Sequence, residues 1–184
     1  MQGSREAANF TAFLFVWTLR TGELPIRVDC LSLRAGGNSI MLSSITCLRK
    51  FGIPGFASRE GKYMEVITLP AWLRAAIAVL PVKVYCNRLL AAPLLAALSN
   101  VVSRDLAHEL KTWNGCYIVR KKRGALALSL HSWGVAIDLN QATNQFGKTP
   151  TLSAGFVKCF TDAGFDWGGT WSKPDGMHFQ LRTV

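Results

Sequence analysis

The run Val135 to Leu139 restricts what this chain can fold into. It reads VAIDL, an apolar segment with a single carboxylate, Asp138. An apolar run of this length and composition predicts a buried strand. An ionised carboxylate in such a strand costs free energy unless it is paired with a cation or a metal ion. The fold must therefore supply a positively charged partner for Asp138.

Two of the chain's three histidines are candidates for a shared metal site with this carboxylate. His131 lies seven residues before Asp138, and His178 lies three residues after Asp175. A catalytic zinc site needs three nitrogen or oxygen ligands, an open position for water, and a separate carboxylate that accepts the proton of that water. We expect the ligands to be His131, Asp138 and His178. Asp175 is then left as the base, and Gly176 allows a turn that brings it to the same site as His178.

The spacing of these residues is similar to that of a known family. The matching positions, in chain order, are Ser129, His131, Gly134, Ala136, Asp138, Asp175 and His178. This pattern resembles the signature of the D-Ala-D-Ala metallopeptidases, which include D,D-dipeptidases, D,D-carboxypeptidases and phage endolysins that cut the L-alanyl-D-glutamate bond. The similarity runs from about Leu48 to Leu181. Aspartate at position 175, where the vancomycin-resistance branch has glutamate, favours the phage or prophage branch.

The resemblance implies a fold, a cofactor and a reaction. The fold is α+β, with a small, mostly antiparallel sheet flanked by helices, as in the Hedgehog signalling domain, and the order of predicted strands and helices agrees. The cofactor is Zn²⁺, and the reaction is amide hydrolysis in peptidoglycan stem peptides. The family also places an arginine on the strand before the motif, where it stabilises the oxyanion. We expect this to be Arg120, on a strand from Cys116 to Arg120, with Arg123 as the alternative.

Two further residues are candidates for substrate contacts. The hydroxyl of Ser129 can orient a metal ligand or a substrate group, and hydrogen bonding at a strand end explains it equally well. Trp171 lies in the segment WGGTW at 167–171, where it is a candidate pocket wall. Packing is the more common role for tryptophans beside glycines.

The chain is strongly basic, with 21 Lys and Arg against 11 Asp and Glu, a net charge of +10. A basic excess favours a polyanionic partner, either a nucleic acid or an anionic cell wall. No nucleic-acid-binding motif is recognisable, so we expect no nucleic-acid partner, and the resemblance implies a peptidoglycan peptide substrate. Three functions stay open. They are a zinc peptidase, which is favoured, a non-catalytic zinc-containing wall-binding protein of the same fold, and a nucleic-acid binder.

The five cysteines are widely scattered and form no Cys-x-x-Cys pair: they are Cys30, Cys47, Cys86, Cys116 and Cys159. This pattern predicts reduced thiols and synthesis in a reducing cytoplasm. Cys116 with a histidine base would be an alternative nucleophile, but such an enzyme has no need of Asp138 and Asp175 at their positions. The apolar run Phe10 to Leu19 is far shorter than the roughly 20 residues that span a bilayer and lacks a clear signal-peptide cleavage site. We expect a monomer without stable membrane insertion, made in the bacterial host cytoplasm and acting on the periplasmic wall.

The chain is predicted to hold one folded domain. Residues 41–184 are expected to form the zinc peptidase domain, and residues 1–40 an N-terminal extension that is poorly ordered or not native. The longest helix is predicted within Leu89 to Lys111, with Pro93 in or before its first turn. Its core-facing stripe is predicted from spacings of three and four residues: Leu95, Leu98, Val102, Leu106 and Leu110.

Overall fold

The structure is a computed structural model that describes residues 41–184. The predicted extension at residues 1–40 lies outside the described residues, and the division of the chain at residue 41 stays a prediction. No helix in the described part of the chain is long and apolar enough to cross a lipid bilayer.

The described residues form five helices and six strands, which confirms the predicted α+β class. The helices are α1 (Ser44–Phe51), α2 (Ala57–Tyr63), α3 (Ala71–Ala76), α4 (Arg88–Ser103) and α5 (Ala154–Thr161). The strands are β1 (Met64–Thr68), β2 (Lys83–Asn87), β3 (Trp113–Gly115), β4 (Ala136–Leu139), β5 (Phe165–Trp167) and β6 (His178–Leu181). Three short 3₁₀ helices lie at Ala107–Glu109, Leu130–Trp133 and Gly168–Thr170.

All strand pairs in the two sheets are antiparallel. Strands β1 and β2 form a two-stranded sheet, and the other four form a second sheet in the order β3-β4-β6-β5. The central strands β4 and β6 pair Ile137 with Phe179 and Asp138 with His178. Because successive side chains on a strand point to opposite faces, the first pair faces one side of the sheet and the second pair faces the other.

The face that carries Ile137 and Phe179 is the apolar core. Helix α5 begins at Ser153, whose hydroxyl accepts a hydrogen bond from the Phe156 amide at 3.0 Å, as expected for an N-cap. From this helix the Phe160 ring packs against Phe179 with centroids 4.6 Å apart. Each fully buried phenylalanine contributes about 1.5–3 kcal/mol to the stability of the fold. This packing leaves the Asp138 and His178 side chains on the opposite face.

The predicted long helix exists, and its core-facing stripe matches the prediction in part, because Leu98 is buried and Leu95 and Val102 are partly buried against the core, whereas Leu106 and Leu110 lie beyond the helix. The buried residues of α4 are Leu90, Leu94, Ala97, Leu98 and Val101, and the helix ends at Ser103. Pro93 lies inside the helix rather than in its first turn. The reason is that Asn87, whose side chain accepts a hydrogen bond from the Leu89 amide at 3.1 Å, starts the helix several residues before the proline.

The predicted strand from Cys116 to Arg120 is absent. The chain leaves β3 at Gly115, where φ is +114°, a value that side chains disfavour. It then continues as an irregular segment, in which the Arg120 carbonyl accepts a hydrogen bond from the Ser129 amide at 2.9 Å. The Arg120 amide donates a hydrogen bond to the Ser132 hydroxyl at 3.1 Å, so this backbone group pairs with a side chain instead of a neighbouring strand. Arg120 is therefore on a loop.

Candidate metal centre

Two neighbouring strands place a carboxylate and an imidazole side by side. Asp138 on β4 and His178 on β6 are direct cross-strand partners. Their Cβ atoms project from the same face, and directly opposed residues in an antiparallel pair are within side-chain contact. The Asp138 Oδ1 atom lies 3.1 Å from His178 Nδ1.

The second histidine comes from the 3₁₀ helix immediately before β4. His131 lies in Leu130–Trp133, and Gly134 ends this turn with φ +64°, which directs the chain into β4. A Cβ atom at Gly134 would lie 2.8 Å from the backbone nitrogen of Asn87. That nitrogen donates to the Gly134 carbonyl at 3.0 Å. The close approach and the positive φ both require glycine, so this residue determines the direction in which His131 is presented.

The three predicted ligand atoms form a nearly equilateral triangle. His131 Nε2 lies 3.1 Å from Asp138 Oδ1 and 3.1 Å from His178 Nδ1, and the third side is also 3.1 Å. Ligands held at 2.0–2.1 Å around tetrahedral zinc are roughly 3.3 Å apart. The spacing of the three atoms therefore fits a metal ion of this size. Within the described residues, His131, Asp138 and His178 form a cluster whose ligand atoms lie close enough together to share one metal ion.

The other nitrogen of each imidazole determines which tautomer is present. His131 Nδ1 lies 2.7 Å from the Cys116 carbonyl, which can only accept, so Nδ1 carries the proton. Gln180 Nε2 donates to the Leu42 carbonyl, and its Oε1 therefore faces His178 Nε2 at 3.3 Å. This oxygen also accepts, so His178 Nε2 carries the proton. The lone pairs of His131 Nε2 and His178 Nδ1 then point into the triangle.

Three electron-pair donors thus face one another in a largely buried site. His131 is 2 % exposed and His178 is 7 % exposed. Burial acts to raise the pKa of Asp138, and hydrogen bonds from His131 and His178 outweigh it and hold the pKa well below its ordinary value only when the inner nitrogens of both rings are protonated. When those nitrogens carry lone pairs, the carboxylate needs another positive partner. A cation at the centre removes the repulsion between the three donor atoms, which is the condition that a divalent metal satisfies.

Asp175 lies beside the triangle and is not part of it. The predicted turn is present, because the His178 amide donates to the Asp175 carbonyl at 3.0 Å. The Asp175 Oδ1 atom is buried and lacks a hydrogen-bond partner among the described residues. Burial raises the pKa of Asp175, Asp138 acts in the same direction, and His178 opposes it. A buried carboxylate oxygen that no protein group satisfies is suited to meet a water or substrate group.

The turn that carries Asp175 packs closely against Gly168. The Gly168 carbonyl accepts a hydrogen bond from the Asp175 amide at 2.9 Å. A Cβ atom at Gly168 would lie 2.6 Å from the Asp175 carbonyl oxygen and 3.3 Å from His178 Cβ. Any larger residue at this position would therefore displace the turn that holds the base beside the third ligand.

Trp171 and Ser129 both line the cavity next to His178. The Trp171 ring packs against the His178 ring with centroids 5.4 Å apart and forms part of the wall. Ser129 borders the same cavity, and its backbone amide bonds to the Arg120 carbonyl. Their roles in substrate binding stay predictions.

Arg120 and Arg123 each line two cavities, which between them are bordered by all three triangle residues. One cavity, of about 200 Å³, includes Asp175 and His178, and the other, of about 450 Å³, includes His131 and Asp138. Both arginines line both cavities and are exposed. Arg120 Nη1 has a long hydrogen bond of 3.4 Å to the Lys121 carbonyl. Either guanidinium is available to a ligand that spans the two cavities.

Cys116 lies near the site but is unsuited to nucleophilic catalysis. Its side chain is 6 % exposed, and burial raises the pKa of its thiol well above the ordinary value. The reactive form of a cysteine is the thiolate, which is disfavoured here. The Cys116 backbone contributes instead, since its carbonyl orients His131.

Two groups that orient the histidines, Gln180 and the Cys116 carbonyl, were not predicted from the sequence. Gln180 has a sequence signal, because it lies two residues after His178 and therefore shares its face of β6. It is also a buried polar residue, 2 % exposed, beside the buried apolar residues Phe179 and Leu181 of the same strand. The Cys116 carbonyl has no such signal, since a backbone contact across 15 residues depends on how the intervening loop folds.

Comparison with known proteins supports a relationship to one peptidase family. A family model described as D-alanyl-D-alanine carboxypeptidase matches residues 123–181. This span covers about a third of the chain and includes the three triangle residues and Asp175. No curated protein and no solved structure matches the chain at a significant level.

Proposed function

We propose that the protein is a zinc-dependent peptidase that hydrolyses amide bonds in peptidoglycan stem peptides. The bond is either L-Ala-D-Glu, as in an endopeptidase, or D-Ala-D-Ala, as in a carboxypeptidase. The observation that carries the proposal is the triangle of His131 Nε2, Asp138 Oδ1 and His178 Nδ1, with sides of 3.1 Å and both histidine tautomers set to donate lone pairs inward. The family match over residues 123–181 supports peptidase chemistry.

His131, Asp138 and His178 would hold the metal ion. When bound, zinc supplies a Lewis acid that lowers the pKa of a coordinated water to about 7. The chain's own contribution to this step is to keep three ligands in place without recruiting a fourth from the protein, because the Asp175 carboxylate is not part of the cluster.

Asp175 is proposed to move the proton. Its carboxylate lines the cavity beside His178 and has an oxygen free of protein partners in the described structure. In this role it accepts the proton of the attacking water and passes it to the nitrogen of the leaving amine, as one positioned general base and acid. A group of this kind contributes typically about 10²–10⁴-fold to the rate.

Arg120 is proposed to stabilise the negative charge that develops on the carbonyl oxygen, with Arg123 as the alternative. Both arginines line the two cavities that the triangle residues border. Loss of one such donor typically costs on the order of 3 kcal/mol of transition-state stabilisation. Ser129 and Trp171 are proposed to border the bound peptide.

The proposed setting is lysis of a host cell by a phage or prophage enzyme. In this proposal a monomer is made in the host cytoplasm and acts on the periplasmic wall. The net charge of +10 supports association with an anionic surface such as the wall.

The test is mass spectrometry of muropeptides after purified peptidoglycan is incubated with the protein, with a chelator-treated sample alongside. A chelator-sensitive product supports the proposal, and its mass identifies the bond. Stoichiometric zinc without any product would instead favour the non-catalytic wall-binding protein of the same fold. Salt-sensitive DNA binding without bound metal would favour the nucleic-acid binder.

A further inference from the structure

Two neighbours hold the side chain of Asn114 by its oxygen and leave its nitrogen unpaired. The Thr112 hydroxyl donates to Asn114 Oδ1 at 2.8 Å, and the Gln141 backbone amide donates to the same oxygen at 3.0 Å. Because a backbone amide only donates, the side-chain atom that faces Gln141 must be the oxygen. Nδ2 carries two hydrogens, and no residue in the described part of the chain accepts a hydrogen bond from it. Asn114 is exposed, so Nδ2 is an oriented donor for a ligand.

The segment that carries Asn114 is fixed to the sheet beside the metal centre. Asn140 Oδ1 accepts a hydrogen bond from the Thr112 amide at 3.0 Å, and the Asn140 amide donates to the Thr112 carbonyl at 3.0 Å. Asn114 directly precedes Gly115, which is paired across the strands with Asp138. Consecutive residues of a strand are about 3.3 Å apart. Asn114 therefore lies about one or two residue lengths from the metal centre.

The two cavities that the triangle residues border have different places in the proposed reaction. Asp175, the proposed proton donor to the leaving nitrogen, lines the cavity of about 200 Å³. It is not among the described residues that line the cavity of about 450 Å³. A general acid must lie within hydrogen-bond reach of the atom that it protonates. The amine side of the scissile bond therefore belongs in the smaller cavity, and the acyl side extends into the larger one.

Asn114 lines the larger cavity, where the acyl side extends. Strand β3, to which it belongs, is the outer strand of its sheet, and a free strand edge is a common place for an extended peptide to bind. In a stem peptide the residue on the acyl side of either candidate bond has its own nitrogen acylated. A second carbonyl then lies one residue before the scissile carbonyl, about 3.3–3.6 Å along an extended chain. A carbonyl only accepts, so it complements the donor at Asn114.

We propose that Asn114 Nδ2 donates a hydrogen bond to this second carbonyl, the one that acylates the residue before the scissile bond. The contact makes the N-acyl group a specificity determinant whichever of the two candidate bonds is cut. The inference rests on the proposed function and adds to it the part of the substrate that is recognised on the acyl side.

The experiment compares substrates that differ only in this group. One pair is N-acetyl-L-alanyl-D-glutamate continued through the γ-carboxyl, and the same compound with a propanoyl group in place of N-acetylalanyl. The second pair is N-acetyl-D-alanyl-D-alanine and propanoyl-D-alanine. The propanoyl compounds lack the acetamido group and carry no additional charge. The readouts are kcat/KM with the zinc-loaded protein and dissociation constants by calorimetry with the zinc-loaded Asp175→Asn variant.

The variant is Asn114→Asp, measured in both the active protein and the Asp175→Asn background. It keeps the oxygen to which Thr112 and Gln141 donate and removes the donor. The matched control is Gln141→Glu, which adds the same charge to an exposed side chain that lines the same cavity. Its backbone amide, the partner of Asn114, is unaltered.

The expected result is a preference of the active protein for the acetylated member in at least one pair. Asn114→Asp should lower this preference by about threefold to tenfold, the contribution of one hydrogen bond between neutral groups, while Gln141→Glu leaves it unchanged. If Asn114 only holds β3 in place, its replacement lowers kcat/KM for both members equally and leaves the preference intact.

The outcomes separate this inference from the proposed function. Cleavage with an unaltered preference in Asn114→Asp, or an equal loss of preference in Gln141→Glu, overturns the inference and leaves the peptidase standing. Absence of cleavage together with tighter binding of the acetylated compounds that Asn114→Asp weakens would retain the contact and overturn the peptidase. Absence of both cleavage and binding preference overturns both.

Discussion

Asp138 and His178 are direct cross-strand partners, and the Asp138 Oδ1 atom lies 3.1 Å from His178 Nδ1. The same carboxylate oxygen lies 3.1 Å from His131 Nε2. Because the neighbouring pair, Ile137 and Phe179, is fully buried on the other face, the strand register that builds the core also sets the spacing of the metal centre. Stability and metal binding are therefore coupled in this part of the sheet.

Removal of one triangle residue should remove the metal. His131→Ala is expected to reduce zinc content from one ion per chain to a small fraction, because two ligands from the protein do not hold zinc as three do. Elemental analysis of the purified, dialysed protein measures this directly. His108→Ala is the control, since His108 is exposed and its Nδ1 faces the Asp105 carbonyl, away from the cluster. Stoichiometric zinc in the His131 variant would refute the ligand set.

Removal of the proposed base should separate catalysis from metal binding. Asp175→Asn is expected to lower kcat by about 10²–10⁴-fold, the contribution of a general base, while the zinc content stays at one ion per chain. The measurement combines peptide cleavage with elemental analysis of the same sample. Full activity of this variant would exclude Asp175 as the base, and loss of zinc would show that it acts as a ligand.

Gln180 should influence the metal ion through His178. Its Oε1 lies 3.3 Å from His178 Nε2, and Gln180→Met removes this acceptor while keeping a similar volume. Loss of such an orienting partner typically weakens metal affinity about 10–100-fold. Competition with a chelator of known affinity measures the change. An unchanged zinc affinity in a folded variant would show that the hydrogen bond has no role in orienting the ring.

Gly168 should tolerate no side chain. In Gly168→Ala the new Cβ atom would lie 2.6 Å from the Asp175 carbonyl oxygen, a distance that forces the turn to shift. We expect a loss of about 1–3 kcal/mol in the free energy of unfolding, the usual range for overpacking, measured by urea denaturation. Gly61→Ala in helix α2 is the matched control, because a Cβ atom there meets nothing within 4 Å. It should be neutral or stabilising by up to about 1 kcal/mol, and a Gly168 variant of equal stability would contradict the packing argument.

The buried cysteines should stay unreactive in the folded protein. Burial raises the pKa of the Cys47 and Cys86 thiols to about 12. At pH 8 the reactive thiolate is then about one part in ten thousand, and neither side chain has measurable exposure. In a Cys30→Ser background, Ellman's reagent should label these thiols slowly before unfolding and promptly in urea. Rapid labelling of the folded protein would show that these residues open readily.

Several elements followed directly from local patterns in the sequence. The apolar run Val135 to Leu139 predicted β4, and Gly176 predicted the turn that brings Asp175 beside His178. These predictions succeeded because the determining features, an apolar run and a turn residue, lie within a few residues of the structure they specify.

Other elements were predicted in part or wrongly, because several local interpretations of the sequence were equivalent. Helix α4 is apolar at most positions, so the periodicity of Leu95 and Val102 fitted as well as that of Leu94 and Val101. Packing against α5 and the rest of the core buries Leu94 and Val101 fully and leaves Leu95 and Val102 partly buried. The strand expected at 116–120 was replaced by a loop, because Ser132, distant in sequence, supplies the hydrogen bonds that a strand neighbour would have supplied.

The sequence by itself determined the residue types of the candidate site, since a buried aspartate, two histidines and a second aspartate allow few chemistries. It also determined the α+β class through its order of strand and helix patterns. The tertiary structure alone decided the 3.1 Å triangle, the tautomers set by the Cys116 carbonyl and Gln180, and the orientation of Asn114 by the Gln141 amide. These contacts join residues that are far apart in the chain, and their geometry depends on strand register and loop path, which local sequence patterns do not specify.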